Sequence, residues 1–163
     1  WKSNKNTFDV EPYCIKSFKQ RWYLVGRSPY NNKVLIYALD RILHMIVTET
    51  RFDMPKAFQP SDFFKDYYGV IVDNNISIER IRLKVSSRQA NYLRSLPLHS
   101  TQVELDKTDD YSIFDLEVHP TFDFIQELLK HGEELEILSP DWLRKDMAKK
   151  IKQMWNNYSK EDL

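Results

Sequence analysis

The chain has 163 residues, of which 42% are hydrophobic and 29% are charged, so it can form one sizeable core or two smaller ones. No apolar run approaches the roughly 18 residues that a membrane span requires, and we expect no membrane partner. Cys14 is the only cysteine, which excludes an intrachain disulfide and fits a cytoplasmic protein. Because residue 1 is Trp rather than Met, we also expect a piece of a longer protein.

The net charge is zero, but the two parts of the chain differ. Residues 1–60 hold ten Lys and Arg against five Asp and Glu, a net charge of +5, and residues 61–163 hold fourteen against nineteen, a net charge of −5. A basic first part can attract phosphates or other anions. The alternative is an ordinary fluctuation of surface charge.

The first 72 residues predict a small β domain. Apolar and β-branched residues cluster in four short segments: Tyr13 to Phe18, Arg21 to Val25, Val34 to Leu39 and Ile42 to Thr50. Four strands joined by short turns are typical of a small barrel. A short helix through Phe64 and Tyr67 would follow, ending at Gly69.

Residues 73–163 predict a second, α+β domain with the element order βαββαβ and a C-terminal helix. Strands are indicated over Ile76 to Val85, Thr101 to Leu105, Tyr111 to Val118 and Leu135 to Leu138. Helices are indicated after Ser86 or Ser87, from Pro120 to Gly132, and from Asp141 onward. A ferredoxin-like sandwich is the simplest fold with this order.

Several short motifs resemble those of the WYL-domain family. In the first domain they are Pro12-Tyr13, Arg21-Trp22-Tyr23-Leu24 and Leu39-Asp40-Arg41-Ile42. In the second they are the stretch from Leu96 to Gln102 and the stretch from Phe124 to Gly132, which are similar to the extension that commonly follows a WYL domain.

The resemblance implies an Sm-like, SH3-type barrel in a bacterial transcription regulator. Such regulators usually carry a winged helix-turn-helix upstream, which would contact DNA, and they commonly form homodimers. The barrel is thought to sense nucleotides or single-stranded nucleic acid. One departure bears on this ligand: Leu35 and Ala38 stand where the family has arginines, and only Arg41 is retained. Arg27 and Lys16 could supply the charge instead.

A candidate ligand surface follows from the alternation of side chains along the second strand. If Trp22 and Leu24 face the core, then Arg21, Tyr23 and Arg27 share the opposite face. Guanidinium groups bind phosphate oxygens and tyrosine rings stack on bases. We therefore expect an anion-accepting surface, although half-buried tyrosines and arginines paired with acids such as Asp40 are the alternative. The candidate residues are Tyr13, Lys16, Arg21, Tyr23, Arg27, Tyr37 and Arg41.

His99 and Gln102 are a possible second polar site, although a plain loop is the preferred interpretation. His44, His119 and His131 lack the spacing of metal ligands, and no catalytic or cofactor motif is present, so an enzyme is not expected. The alternatives to an effector sensor are a stand-alone nucleic-acid-binding module and an assembly module. Tyr30, Trp155 and Tyr158 would be the anchors of such an assembly.

Overall fold

A computed structural model describes residues 7–159 and divides the chain into two compact units. The first unit comprises the residues up to 65 together with 69–71, and the second comprises 66–68 and the residues from 72 onward. The described residues form two antiparallel sheets, of three and four strands, and four α-helices. The protein therefore has a mixed α and β architecture.

The first unit is built on a three-stranded meander. Its strands are β1 (Glu11–Phe18), β2 (Arg21–Arg27) and β3 (Val34–Ala38), in the order β1-β2-β3. A 3-10 turn (Leu39–Arg41) follows β3, and the four-residue helix α1 (Pro60–Phe63) lies farther along the chain. Aromatic side chains cluster around α1, where the Phe63 and Phe64 rings meet edge to face at 4.9 Å.

The predicted fourth strand, and with it the closed barrel, is wrong for the described chain. Residues 42–50 contain no strand, and Met45, Ile46 and Val47 are 75%, 84% and 91% exposed. Their apolar, β-branched composition favours an extended conformation, but a strand forms only where a neighbouring edge accepts its backbone hydrogen bonds. No such pairing occurs for this segment among residues 7–159, so the sheet stays open.

The turn between β1 and β2 is strained by its residue types. Lys19 and Gln20 both adopt positive φ, at 46° and 63°. This is the geometry of a two-residue type I′ hairpin turn, for which Asn-Gly is the preferred pair. A side chain with a Cβ costs about 1 kcal/mol in the left-handed region.

Replacing the pair by Lys19→Asn with Gln20→Gly is expected to stabilise the first unit by about 1 kcal/mol, because the turn geometry then carries no Cβ penalty at Gln20. Urea denaturation read through hydrogen exchange of the β1 and β2 amides would measure the gain. Lys19→Ala keeps a Cβ atom at both turn positions and should give no gain. A double variant no more stable than wild type would contradict this account of the turn.

The second unit has the predicted element order. It comprises β4 (Glu79–Ser86), α2 (Ser87–Ser95), β5 (Val103–Lys107), β6 (Tyr111–Val118), α3 (Phe122–Lys130), β7 (Leu135–Ser139) and α4 (Asp141–Tyr158). A 3-10 turn (Gly132–Glu134) precedes β7, and the strand order is β5-β6-β4-β7. Of the two candidate caps for α2, Ser86 is the one used, since its Oγ accepts from Gln89 N at 3.2 Å.

The core of this unit follows from strict alternation on the two central strands. Antiparallel pairing sets Ile81 opposite Leu116 and Leu83 opposite Phe114, and all four side chains are at most 1% exposed. The apolar face of α3 and the first half of α4 complete this core with Phe124, Ile125, Leu128, Leu143 and Met147. The other face of the same strands carries Arg80, Arg82 and Asp115.

Candidate ligand-binding cleft

An open cleft of about 490 Å³ lies between β1 and the α1 segment of the first unit. Its lining residues include one Lys, two Ser, one Cys and three apolar residues, and none of the seven is acidic. They are Cys14, Ile15, Lys16, Ser17, Pro60, Ser61 and Phe64. The cleft therefore offers the Lys16 charge near the Ser61 hydroxyl and the Phe64 ring.

Lys16 is the charged group of this cleft. Its Nζ lies 3.8 Å from the centroid of the Phe64 ring, and Phe64 is only 8% exposed. Burial lowers the pKa of Lys16, while the neighbouring Cys14 acts in the opposite direction. A partly desolvated ammonium interacts more strongly with an incoming anion than one in bulk water does. Burial also raises the pKa of the Cys14 thiol, which keeps it protonated at neutral pH.

Pairing of β1 with β2 shows which face of the sheet is covered. Lys16 lies opposite Tyr23 and Cys14 lies opposite Val25, and Val25 is fully buried. Trp22, on the other face, is 58% exposed. The prediction that Trp22 belongs to the core is therefore wrong. Both faces of β2 carry apolar side chains, so their alternation alone could not identify the inner one.

The three candidate arginines do not line the cleft. Arg27 forms a two-point pair with Glu11, in which Nη2 lies 2.9 Å from Oε1, and this hydrogen-bonded pair raises the pKa of Arg27 and lowers that of Glu11. Arg21 lies 3.5 Å from Asp40 at an exposed position, and Arg41 is exposed in the 3-10 turn. The charge of Arg27 is thus matched within the sheet, which leaves Lys16 as the cation of the cleft.

Tyr13 and Tyr37 belong to separate aromatic clusters. Tyr13 sits at an irregularity of β1, with its ring centroid 4.8 Å from that of Phe58, and its buried hydroxyl has no hydrogen-bond partner within residues 7–159. Tyr37 stacks on Phe8 at 5.3 Å, and burial raises its pKa. Of the predicted surface, the structure therefore brings Lys16 and Tyr23 together and leaves the other members apart.

His99 and Gln102 hold a loop of the second unit. The Gln102 side chain accepts from Leu98 N and donates to Leu93 O, both at 2.9 Å. His99 Nδ1 lies 2.8 Å from Thr101 Oγ1. These contacts tie the end of α2 to the strand that follows, as a structural loop requires.

All lining residues of the cleft except Lys16 escaped the sequence analysis: Cys14, Ile15, Ser17, Pro60, Ser61 and Phe64. Cys14 could have been found, because it shares a strand face with Lys16 at a spacing of two. Phe64 and Ser61 could not, since their approach to β1 depends on a contact more than 40 residues away in sequence. Over the described range, no cluster of three His, Cys, Asp or Glu side chains could hold a metal ion, and no helix is long and apolar enough to cross a membrane.

Comparison with known families matches both parts of the chain. The WYL domain matches residues 1–47, which include β1 to β3, and the WCX domain matches residues 77–155, from just before β4 into α4. The chain thus contains a WYL domain followed by a WCX domain. These matches confirm the resemblance drawn from the sequence motifs. The β1 side of the cleft lies within the matched WYL domain.

Among solved structures, the WYL–WCX chain is similar to proteasome accessory factor B/C (PafBC) of Arthrobacter aurescens. The sequence identity is 17%, the TM-score is 0.38, and the match covers 88% of this chain and 21% of that one. The chain thus spans about a fifth of the length of this relative. No curated protein matched its sequence.

Proposed function

We propose that this chain is the effector-sensing region of a WYL-domain transcription regulator, and that it binds an anionic ligand at the Lys16 cleft. A nucleotide, a single-stranded nucleic acid or another anion of similar size would fit this chemistry. The observation that carries the proposal is the half-buried ammonium of Lys16 in the wall of an open cleft. DNA would be contacted through an upstream domain, and the protein would act in the cytoplasm without catalysis.

Three features of the cleft support an anion. Lys16 already has an aromatic partner in Phe64, which holds the ammonium in place without neutralising it, unlike the Glu11 carboxylate beside Arg27. The Ser61 hydroxyl can donate to ligand oxygens. The Phe64 ring supplies apolar surface for a base or another flat group.

We also propose a specific fold for each of the two units. We interpret the second unit as ferredoxin-like because its central strands β4 and β6 are flanked by β7 and β5 in the order β5-β6-β4-β7. We interpret the three-stranded sheet of the first unit as Sm-like in its consecutive antiparallel strand order, without a closed barrel.

Lys16→Met removes the charge and keeps the length of the side chain. We expect it to weaken binding of adenosine 5′-monophosphate or of a short oligothymidylate roughly ten- to hundredfold, the usual effect of losing one charge-assisted hydrogen bond. Isothermal titration calorimetry at low salt would measure the affinities. Lys33→Met, at an exposed loop position of the same unit, is the matched control and should change them less than about twofold.

Uncharged adenosine should bind more weakly than its monophosphate if the ammonium is the main attraction. Equal affinities of wild type and Lys16→Met, or no binding of either anionic compound, would contradict the proposal. Binding of the oligonucleotide alone, with a steep dependence on salt, would favour the alternative of a nucleic-acid-binding module without a small effector.

A further inference from the structure

Three side chains of the second unit meet at the buried carboxylate of Glu127. This residue lies on α3 and is 5% exposed. Its Oε1 is 3.0 Å from Lys130 Nζ and 3.9 Å from His131 Nε2. The third side chain is Tyr68, from the segment before β4, whose pKa is raised by burial and by a hydrogen bond with Glu127. The carboxylate thus lies between a hydroxyl that it holds and an imidazole that it does not yet contact.

His131 is the member of this cluster that changes its charge near neutral pH. Its side chain is 9% exposed, and its Nε2 has no hydrogen-bond partner among residues 7–159. Burial is the main cause that lowers the pKa of His131, the Glu127 carboxylate opposes it and Lys130 reinforces it. The imidazole is therefore neutral at pH 7. After proton uptake both of its ring nitrogens are donors.

We propose that Glu127 is a proton-controlled latch on Tyr68. While His131 is neutral, the carboxylate holds the Tyr68 hydroxyl. Once His131 takes up a proton from solvent, the carboxylate turns to the imidazolium and releases Tyr68, which keeps its own proton throughout. Residues four apart on one helix face the same side, so Glu127 reaches His131 without any change in the backbone of α3.

The Tyr68 contact is the one that breaks when the carboxylate moves. A charge-assisted hydrogen bond is about 2.8 Å long, so Glu127 Oε1 and His131 Nε2 approach by about 1 Å. Lys130 is 69% exposed on a flexible side chain and follows the carboxylate. The Tyr68 ring cannot follow, because it packs edge to face on the fully buried Phe124 at 5.9 Å.

Tyr68 lies where the chain passes between the two units. Residues 66–68 belong to the second unit and residues 69–71 to the first, with Gly69 between them at a φ of 94°. Release of Tyr68 therefore loosens the segment that connects the units. The latch uses no residue of the Lys16 cleft, so it does not depend on the ligand proposed there.

A second histidine holds the same segment by other contacts. The His119 ring stacks on the Tyr67 ring at 4.1 Å, and His119 N donates to Asp66 O at 2.9 Å. These contacts do not involve Glu127, so the acid-driven release is confined to Tyr68.

Two further carboxylates lie close to the cluster on α3 and the turn that follows it. Asp123, one turn before Glu127, acts on Tyr68 in the same direction as Glu127 does. Glu134 is held by Ser86 and Arg88, and these bonds lower the pKa of Glu134. The proton that operates the latch therefore enters at His131.

The latch also gives the second unit a dependence on pH. Because burial lowers the folded pKa of His131, the contribution of this residue to stability is fully present above the unfolded value of about 6.5. It is lost as the pH falls through the folded value.

An NMR titration of the 163-residue chain from pH 7.5 to 5, with the four imidazoles and the Tyr68 ring resolved, tests the proposal. We expect His131 to titrate below about 6.5 and the Tyr68 ring signals to shift with the same midpoint. In His131→Gln the Tyr68 transition should disappear. His44→Gln, at an exposed position of the first unit, is the matched control and should leave it unchanged. A Tyr68 ring that does not titrate, or that follows the midpoint of His119, would overturn the latch.

Two substitutions test the exchange of partners at the carboxylate. Glu127→Gln removes the charge that favours the imidazolium, so the midpoint of His131 should fall further. Tyr68→Phe removes the hydroxyl and keeps the ring on Phe124, and it should raise this midpoint because the carboxylate no longer leaves a partner. An unchanged midpoint in Tyr68→Phe would count against the exchange. Far-UV circular dichroism of wild type should stay constant from pH 7.5 to 5, and loss of helix signal at the His131 midpoint would replace the latch by unfolding of the whole unit.

Discussion

Phe114→Ala is expected to destabilise the WCX domain by about 3–5 kcal/mol, the usual cost of removing a buried aromatic ring from a packed core. Phe114 lies on the central strand β6, is 1% exposed, and pairs in register with the fully buried Leu83. The core cluster that contains Phe114 draws side chains from three strands and three helices, so the cavity cannot close by a small shift of one element. Urea denaturation followed by hydrogen exchange of the β4 and β6 amides would measure the loss.

Phe122→Ala provides the matched control for this substitution. Phe122 is the first residue of α3 and is 64% exposed, so its removal should change the free energy of unfolding by no more than about 0.5 kcal/mol. Similar losses in the two variants would mean that the core is not centred on the β4–β6 pair.

Asp115→Asn is expected to cost about 2–3 kcal/mol at neutral pH, because Arg80 and Arg82 lose the buried carboxylate that accepts their hydrogen bonds. Asp115 is 5% exposed and accepts from Arg82 Nε at 2.7 Å and from Arg80 Nε at 2.8 Å. These bonds join the two central strands on the face opposite the core. Both arginines remain partly exposed and can be hydrated again, which limits the cost.

The same carboxylate predicts a dependence on pH. The hydrogen bond from Arg82 is the main cause that holds the pKa of Asp115 below its usual range, with Arg80 acting in the same direction and burial opposing both. The unfolded chain therefore takes up its proton at a higher pH than the folded one does. The contribution of Asp115 is fully present above the unfolded pKa of about 3.9 and is lost as the pH falls through the lower folded value.

The stability difference between wild type and Asp115→Asn should thus be smaller at pH 3 than at pH 7, as judged by urea midpoints. Glu104 adds to the acid sensitivity of the wild type, since its hydrogen bond with Arg94 lowers the pKa of Glu104 to about 2. Asp109→Asn, at the exposed turn before β6, should leave both midpoints unchanged. A difference that grows on acidification would contradict the assigned role of Asp115.

The WCX half could be predicted from the sequence because its signals are local. Alternation in β4 and β6, the serine before α2 and Gly132 after α3 each specify an element without reference to distant residues. The WYL half depends on non-local information. The segment from Ile42 to Thr50 has strand composition but no edge to pair with among the described residues, and both faces of β2 are apolar enough to be the inner one.

The residues of the candidate cleft and its surroundings also differ in how far the sequence could predict them. Lys16 was predicted as a possible source of positive charge, and its cross-strand neighbour Tyr23 was predicted from the alternation of side chains along β2. The ring that holds the Lys16 ammonium comes from Phe64, and the carboxylate that neutralises Arg27 comes from Glu11 on the neighbouring strand. Sequence patterns indicate which residue types could serve a site, whereas strand register and long-range packing decide which of them meet.

The open run from Ile42 to Val47 also affects how the protein behaves at high concentration. Six residues of strong β tendency, without proline or formal charge at neutral pH, have the composition of segments that nucleate intermolecular β-structure. In natural proteins such segments are usually capped by a neighbouring chain, a helix or flanking charges, and Arg41 and Glu49 are the nearest ionised groups here. Exposure of this segment therefore predicts that aggregation of the chain increases with protein concentration.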